Sequence, residues 1–170
     1  MNSDDYVFMP ASPDDVDILS SLEQKLFHTD QCSKRSFRYL IRRAVVIVVR
    51  HRRDNSIYGY ATLLTRRNSR KMRIYSLGIV ESARASGVAT RLVGYIENIA
   101  RNRNCTVLTL EVHDLNLAGL ALYQKAGFTQ AGFKFEYYED GGHAILMRKN
   151  IPPASTFHHD SPLHESCSYQ

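Results

Sequence analysis

Three polar residues in the segment LTLEVHDLNLAGLALYQKAGF, residues 108–128, are of types that could catalyse transfer of a group to an amine. Alternation along the strand-like start of the segment places Glu111 on the face opposite the leucines. Asn116 stands where the next helix begins, and Tyr123 lies two turns further along the same face, about 10 Å away. A carboxylate can act as a general base and a phenol as a general acid. Each residue also has a structural interpretation, as a solvent-facing acid, an N-cap and an aromatic at the edge of the core.

A second segment, ESARASGVATRL, contains Arg84, Gly87 and Ala89 in an R-x-x-G-x-A pattern that runs into a predicted helix from Thr90. Small residues let a ligand approach the backbone, and free N–H groups at a helix N-terminus attract anions. The pattern is typical of a pyrophosphate-binding turn, but an ordinary strand-to-helix turn fits it as well. It is neither a P-loop nor a Rossmann fingerprint, because Gly-Lys-Ser/Thr and GxGxxG are absent.

Other chemistries lack their sequence motifs in this chain. It contains no GxSxG, no HExxH and no histidines at a metal-ligand spacing within the predicted domain. Cys32, Cys105 and Cys167 are odd in number and widely separated, which indicates reduced thiols. We therefore expect neither a disulfide framework nor a metal site.

Hydrophobic periodicity predicts helices and strands that alternate in a mixed α/β order. A first helix is expected after Ser12, with Pro13 at its first helical position, and a second helix from Ser33. Gly127 is expected to end the last helix. The predicted strands are YVFMPA (6–11), AVVIVVRH (44–51), SIYGYATLLTR (56–66), IYSLGIV (74–80), VLTLEV (107–112), AGFKFEYY (131–138) and GGHAILMRKNI (141–151).

Composition indicates one domain over residues 1–151, because 170 residues of which 44% are hydrophobic suffice for one core. Residues 152–170 have no apolar period and are expected to form a flexible tail. The acidic N-terminus does not resemble a signal peptide, and the longest apolar run, 44–49, is too short to cross a bilayer. We expect a cytoplasmic protein, monomeric or weakly dimeric, without membrane contact.

The net charge of +5 suits an anionic partner. The segment RRNSRKMR, residues 66–73, has five basic residues in eight and is predicted to be a loop. Such a loop can bind nucleic acid. A solvated hairpin is favoured here, because no aromatic residue is interleaved to stack on bases.

These segments together resemble the GNAT superfamily of acyl-CoA-dependent N-acetyltransferases, and within it the RimI-like enzymes that acetylate protein N-terminal amines. Over roughly residues 6–151, ARASGVA matches the Q/R-x-x-G-x-G/A motif, LEVHDLNLAGLALYQKAGF matches E-V-x-x-x-N-x-x-A-x-x-L-Y-x-x-x-G-F, and YYEDGGHAILM matches the closing strands. The resemblance implies an α/β (mixed α+β) fold. Its central twisted sheet would be mostly antiparallel, with about six to seven strands and about four flanking helices.

The resemblance also implies a role for each site residue, with acetyl-CoA as co-substrate and no metal. Glu111 would be the general base, Tyr123 the general acid, and Asn116 a hydrogen-bond partner of the cofactor. The remaining cofactor contacts would be Leu77, Gly78 and Ile79 along the pantetheine arm, and Arg84, Ala85, Ser86, Gly87, Val88, Ala89 and Thr90 around the pyrophosphate.

The acceptor is expected to be a primary amine, above all a protein or peptide N-terminus. Its α-amino pKa of about 7.7 to 8.0, against about 10.4 for lysine, makes deprotonation about 3 kcal/mol easier at neutral pH. A small amine metabolite or antibiotic is an alternative acceptor, and a non-catalytic acyl-CoA or nucleic-acid binding module is another reading. The segment LFHTDQCSKRSF (26–37) and the absence of tryptophan depart from the best-known members, in a region that usually forms a wall of the acceptor site.

Overall fold

The computed structural model describes residues 2–28 and 31–153, so the predicted tail beyond residue 153 lies outside the described residues. Its strands are β1 (Tyr6–Pro10), β2 (Val45–His51), β3 (Ile57–Thr65), β4 (Lys71–Ile79), β5 (Val107–His113), β6 (Thr129–Lys134) and β7 (Ala144–Asn150). Its helices are α1 (Val16–Leu26), α2 (Lys34–Arg43), α3 (Glu81–Arg84), α4 (Val88–Asn102) and α5 (Leu117–Lys125).

The strands form one mixed sheet in the order β1-β2-β3-β4-β5-β7-β6. Every neighbouring pair is antiparallel except β4 and β5, which run parallel through the crossover that α4 makes. The predicted fold class, a mostly antiparallel mixed sheet with flanking helices, is confirmed.

Each face of the sheet is covered by a different pair of helices. On one face, α1 and α2 pack Leu19 and Phe37 against Val48 and Tyr60 of the sheet. On the other face, α4 inserts a buried stripe of apolar residues into the larger core, which also takes the buried side chains of β4 and β5. The periodic apolar stripes of the helices therefore determine which side of the sheet each one covers.

Two predicted boundaries around the site are wrong. The helix predicted from Thr90 begins at Val88, because Gly87 at φ +81° turns the chain and the fully buried Val88 side chain joins the core. The loop predicted over 66–73 ends at Arg70, because β4 begins at Lys71, where it pairs with Val107 of β5.

The final hairpin also differs from the prediction. Strand β6 starts at Thr129 and ends at Lys134, whereas pairing was expected to reach Tyr138. Residues 135–143 form a loop in which Glu136 has a φ of +45°, outside the extended conformation of a strand.

The predicted helix ends around the site are confirmed. Asn116 caps α5 by accepting a hydrogen bond from the Gly119 N–H at 2.9 Å. Gly127 follows the helix with φ +89°, a conformation that glycine adopts without strain. No helix among the described residues is long and apolar enough to cross a membrane.

Candidate active site

Strands β4 and β5 separate part-way along their length. Their ladder runs from Lys71 opposite Val107 to Ile74 opposite Leu110, and no further pair between them occurs among the described residues. Beyond it β4 pairs only with β3, while β5 pairs with β7. The edge of β4 that faces β5 therefore has backbone N–H and C=O groups without a strand partner, open to an extended ligand.

The three residues predicted to line the pantetheine arm lie on this separated part of β4. Leu77 is half-buried, and Gly78 and Ile79 are buried. A Cβ at Gly78 would lie 2.7 Å from the Cδ1 atom of Leu26, so α1 packs closely against this strand. The absence of a side chain at Gly78 lets the end of α1 close one side of the gap.

The predicted pyrophosphate turn forms a continuous path from the end of β4 to the N-terminus of α4. The Arg84 side chain donates from Nε to the carbonyl oxygen of Ile79 at 2.9 Å, which fixes the turn to the strand. The Ser86 hydroxyl accepts a hydrogen bond from the Val88 N–H at 3.3 Å. The next N–H groups, of Ala89 and Thr90, have no acceptor within the helix, so they and the dipole of this 15-residue helix favour an anion.

Glu111 is the first residue of β5 beyond its last pair with β4, and cations hold both of its carboxylate oxygens. Oε2 accepts from Nε of Arg73 at 2.7 Å, and Oε1 accepts from Nζ of Lys134 at 3.2 Å. The side chain is 13% exposed. The carboxylate thus joins β4, β5 and β6 while it faces the gap, and an incoming group must share its oxygens with two cations.

Two tyrosines flank this network. The Arg73 guanidinium lies over the Tyr75 ring, 5.4 Å from its centroid, and donates from Nη2 to the Tyr137 hydroxyl at 3.2 Å. The Lys134 ammonium lies 4.5 Å from the centroid of the Tyr137 ring. Both rings are substantially exposed, so they form two aromatic walls beside the carboxylate.

Tyr123 lies in the core on the opposite face of the sheet from Glu111. Its ring packs edge-on against Phe128 at 5.7 Å, and Leu110 and Val112, the neighbours of Glu111 in the strand, belong to the same core. Burial raises the pKa of the Tyr123 phenol to about 12, so it stays protonated at neutral pH. The described structure shows no direct contact between Tyr123 and Glu111, and a ligand in the gap between β4 and β5 is what would connect them.

Asn116 is exposed at the start of α5. The cap uses its Oδ1 atom and leaves the Nδ2 group to donate elsewhere. A Cβ at Gly119 would lie 2.7 Å from that Nδ2 atom, so glycine leaves room for the Asn116 carboxamide.

Sequence reasoning missed a second acid, Glu23, which is buried in α1. It is 3% exposed, and its carboxylate accepts hydrogen bonds from the Cys32 N–H at 2.8 Å and from the Tyr60 hydroxyl. Burial raises its pKa to about 7. The signal was present, because Glu23 lies four residues after Leu19 and three before Leu26, on the apolar stripe of α1.

Arg73, Tyr75, Lys134 and Tyr137 were also missed. Arg73 was assigned to the basic loop, yet it alternates with the buried Met72 and Ile74 and so faces the side of Glu111. A strict period-two reading extended back from Ile74 would have placed it in the strand.

A concavity on the same side of the structure as α1 does not contain these groups. It has a volume of about 690 Å³ and lies between α1 and α3, where Leu22, Ile57 and Val80 line it. The strand separation and the chemistry around it, and not cavity size, therefore locate the candidate active site.

Comparison with known proteins places the chain in a known class of enzymes. The sequence profile of the acetyltransferase (GNAT) family matches residues 16–128, and the chain belongs to this family. GNAT proteins use acetyl-CoA.

Individual relatives agree with this assignment. An uncharacterised N-acetyltransferase of Methanocaldococcus jannaschii is 37% identical over 82 residues, 48% of this chain and 53% of that protein. The N-alpha-acetyltransferase RimI of Mycobacterium tuberculosis is 30% identical over 102 residues, 58% of this chain and 63% of that protein. The chain thus spans about half the length of the curated relatives it matches.

A solved structure shows the same fold. The ribosomal-protein-S18-alanine N-acetyltransferase of Escherichia coli matches with a TM-score of 0.76 and 20% identity, covering 89% of this chain and 97% of that one.

Proposed function

We propose that this protein transfers an acetyl group from acetyl-CoA to the α-amine of a protein or peptide N-terminus. The observation that carries the proposal is the position of Glu111, the first residue of β5 past its last pair with β4. A carboxylate at this point faces the gap between β4 and β5, and the N-terminus of α4 borders the same gap. Family membership and the resemblance to RimI support the same reaction.

The residues around the gap fit an extended, phosphorylated cofactor. Acetyl-CoA supplies a thioester, an activated acetyl group whose sulfur leaves as a thiolate. The unpaired edge of β4 over residues 77–79 would hydrogen-bond the pantetheine arm, and the N–H groups of residues 84–90 would hold the pyrophosphate. Asn116 would donate from Nδ2, the group that its helix cap leaves free.

Glu111 acts as the general base in this proposal. An amine is nucleophilic only when neutral, so the attacking α-amine must lose a proton. Both Glu111 oxygens already accept one hydrogen bond from a cation, and each retains a further lone pair. The carboxylate takes the proton directly or through one water, and Arg73 and Lys134 hold it in place meanwhile.

Tyr123 acts as the general acid. Its raised pKa of about 12 keeps the phenol protonated until the leaving sulfur needs a hydrogen-bond donor. A thiol has a pKa of about 8.5, so full transfer from free tyrosine is uphill and the hydrogen bond to the developing negative charge is the main contribution. The buried site strengthens that bond, because few waters compete for it.

The walls of the site favour a peptide as acceptor. Tyr75 and Tyr137 are 47% and 40% exposed on either side of the Glu111 network, which suits a flat chain with polar backbone groups. The α-amine of such a chain is easier to deprotonate at neutral pH than a lysine side chain.

Thiol release from acetyl-CoA with matched acceptors tests the proposal. We expect turnover with short peptides that stops when the α-amine is blocked and persists when a lysine side chain is blocked. Small amines such as polyamines and aminoglycosides serve as the comparison set. Turnover confined to that set would replace the peptide acceptor with a small amine, and no turnover with any amine would contradict an enzymatic role.

A further inference from the structure

The end of the sheet away from the candidate active site collects basic residues from five parts of the chain. Strand register brings these parts together, because Val45 lies opposite Leu63, Thr65 opposite Met72, and Val107 opposite both Lys71 and Asn150. The segments that meet there are 40–45, 64–72, 101–108, 122–130 and 148–153, which we call the basic end.

The five segments of the basic end carry charge of one sign, while the turn after β1, which adjoins them through the bond from the Ala11 N–H to the Val46 carbonyl, adds Asp14 and Asp15. The five segments contain eleven of the 22 lysines and arginines of the chain and no aspartate or glutamate. Two of the eleven, Arg101 and Lys149, bind Glu97 of α4. The other nine are exposed, and no carboxylate among residues 2–28 and 31–153 forms an ion pair with any of them.

The opposite end of the sheet carries the reverse charge. The segments that meet there, 2–6, 51–57, 79–87, 113–117 and 135–144, contain eight acidic residues and three arginines. Strand β4 connects the two ends over nine residues, about 26 Å. A partner held at the basic end would therefore leave the gap between β4 and β5 open to substrates.

We propose that the basic end binds the phosphate backbone of a nucleic-acid duplex. Strands β2, β3, β4, β5 and β7 lie side by side there and span about 19 Å. A duplex of that length carries about eleven phosphate charges, enough to engage the exposed cations. Most of those cations are arginines, whose planar guanidinium groups bind phosphate in a bidentate manner.

The uncharged residues of the basic end favour a nucleic-acid backbone over the other common anionic partners. None of the large exposed hydrophobic residues, such as Tyr39, Leu115 and Phe135, lies in its segments. Apolar anchors strengthen the attachment of a basic surface to a membrane, and a buried aromatic or aliphatic centre supplies most of the affinity of a protein interface. Recognition of unpaired bases needs aromatic platforms, so the paired backbone of a duplex is the remaining fit.

The turn between β3 and β4 provides the test variant. Arg66, Arg67 and Arg70 are exposed and lie outside the regular pairing of the sheet, so we expect the fold to stay intact when all three are replaced by glutamine. Arg38, Arg52 and Arg53 are exposed outside the basic end, and their triple glutamine variant changes the net charge equally.

Binding of the full chain to a labelled 20-base-pair RNA duplex, and to a DNA duplex of the same sequence, is measured by fluorescence anisotropy at 50 to 200 mM salt. The association constant K falls as salt rises, and loss of three phosphate contacts should make the slope of log K against log salt concentration shallower by about 2.7. The wild type should therefore lose about 40-fold more affinity over this range than the turn variant. The control triple variant should keep the wild-type slope. Acetyl transfer to a free peptide should be equal in all three proteins.

Three results would overturn the proposal. They are no saturable binding to either duplex at 50 mM salt, equal weakening in the turn and control variants, and binding to vesicles of anionic phospholipid without binding to a duplex. The proposal allows equal or unequal affinities for the RNA and DNA duplexes, and the ratio of the two affinities shows which duplex the surface prefers. Because the experiment measures binding, its result does not depend on whether the protein transfers acetyl groups.

Discussion

Glu111 and Glu23 lie on the same side of the sheet, yet the structure holds them in different ways. Two cations, Arg73 and Lys134, bind the carboxylate of Glu111 at the gap between β4 and β5. Two neutral donors, the Tyr60 hydroxyl and the Cys32 N–H, bind the carboxylate of Glu23 inside the α1–α2 layer. The first arrangement places two positive charges beside the carboxylate, and the second places none.

Two criteria for a general base, proton affinity and access to the substrate, favour different glutamates. Proton affinity favours Glu23 as a candidate, because burial raises its pKa to about 7, near the pH at which a base works best. By access Glu111 is the better candidate, because it faces the gap, whereas Glu23 is 3% exposed and both its oxygens are used. Since a base must first reach the proton, we expect access to decide between them.

Replacing each glutamate by glutamine tests this expectation and should give the largest effect. We expect Glu111→Gln to lower kcat about 10²- to 10⁴-fold, because an amide cannot accept the amine proton. Glu23→Gln should leave kcat within about fivefold, because Gln can accept from the Cys32 N–H and donate to the Tyr60 oxygen. Thiol release measures kcat, and calorimetry with acetyl-CoA should show unchanged cofactor affinity in both variants.

The reverse pattern would assign the base to Glu23. A large loss of acetyl-CoA affinity in Glu111→Gln would instead mean that this residue shapes the cofactor site. Glu139→Gln, an exposed glutamate in the β6–β7 loop, serves as the control for removal of one charge.

Titration of Glu23 should contribute to the pH dependence of the free energy of unfolding. Its pKa is raised from 4.5 to about 7 in the folded protein, so folding favours the protonated form. The stability from this group is complete below pH 4.5 and is lost as the pH rises through 7, by roughly 3 kcal/mol for a shift of this size.

Urea unfolding at pH 4.5, 6 and 8 measures this contribution. The free energy of unfolding of Glu23→Gln relative to wild type should increase by roughly 3 kcal/mol from pH 4.5 to 8, because glutamine does not titrate. Glu139→Gln should show no such trend. A constant difference across the range would mean that Glu23 is charged in the folded protein at pH 6, in conflict with its buried setting.

The two glutamates also show what the sequence could and could not reveal. The strand containing Glu111, the cap at Asn116 and the glycine turns at Gly87 and Gly127 follow from local preferences, and the structure confirms them. Period and capping rules act over a few residues, so they need no knowledge of the fold.

The partners of the two carboxylates are a different matter. Glu111 meets Arg73, 38 residues away, and Glu23 meets Tyr60, 37 residues away. These contacts depend on strand register and on where α1 crosses the sheet, which one sequence does not determine. The wrong boundary of the basic loop has a local cause instead, because a period-two pattern read back from Ile74 places residues 71–73 in β4.

Tyr123 extends the comparison to the other face of the sheet and should give the smallest of the three effects. Tyr123→Phe keeps the ring that packs against Phe128 and removes only the hydroxyl, for which the described structure shows no hydrogen-bond partner. We expect kcat to fall about 10- to 100-fold, the value of one hydrogen bond to a charged sulfur, with little change in unfolding free energy.

Tyr95→Phe on α4, which packs against Phe8, is the matched control and should change neither quantity. A loss of stability with unchanged kcat would make Tyr123 a core residue only, and the leaving group would then need another donor.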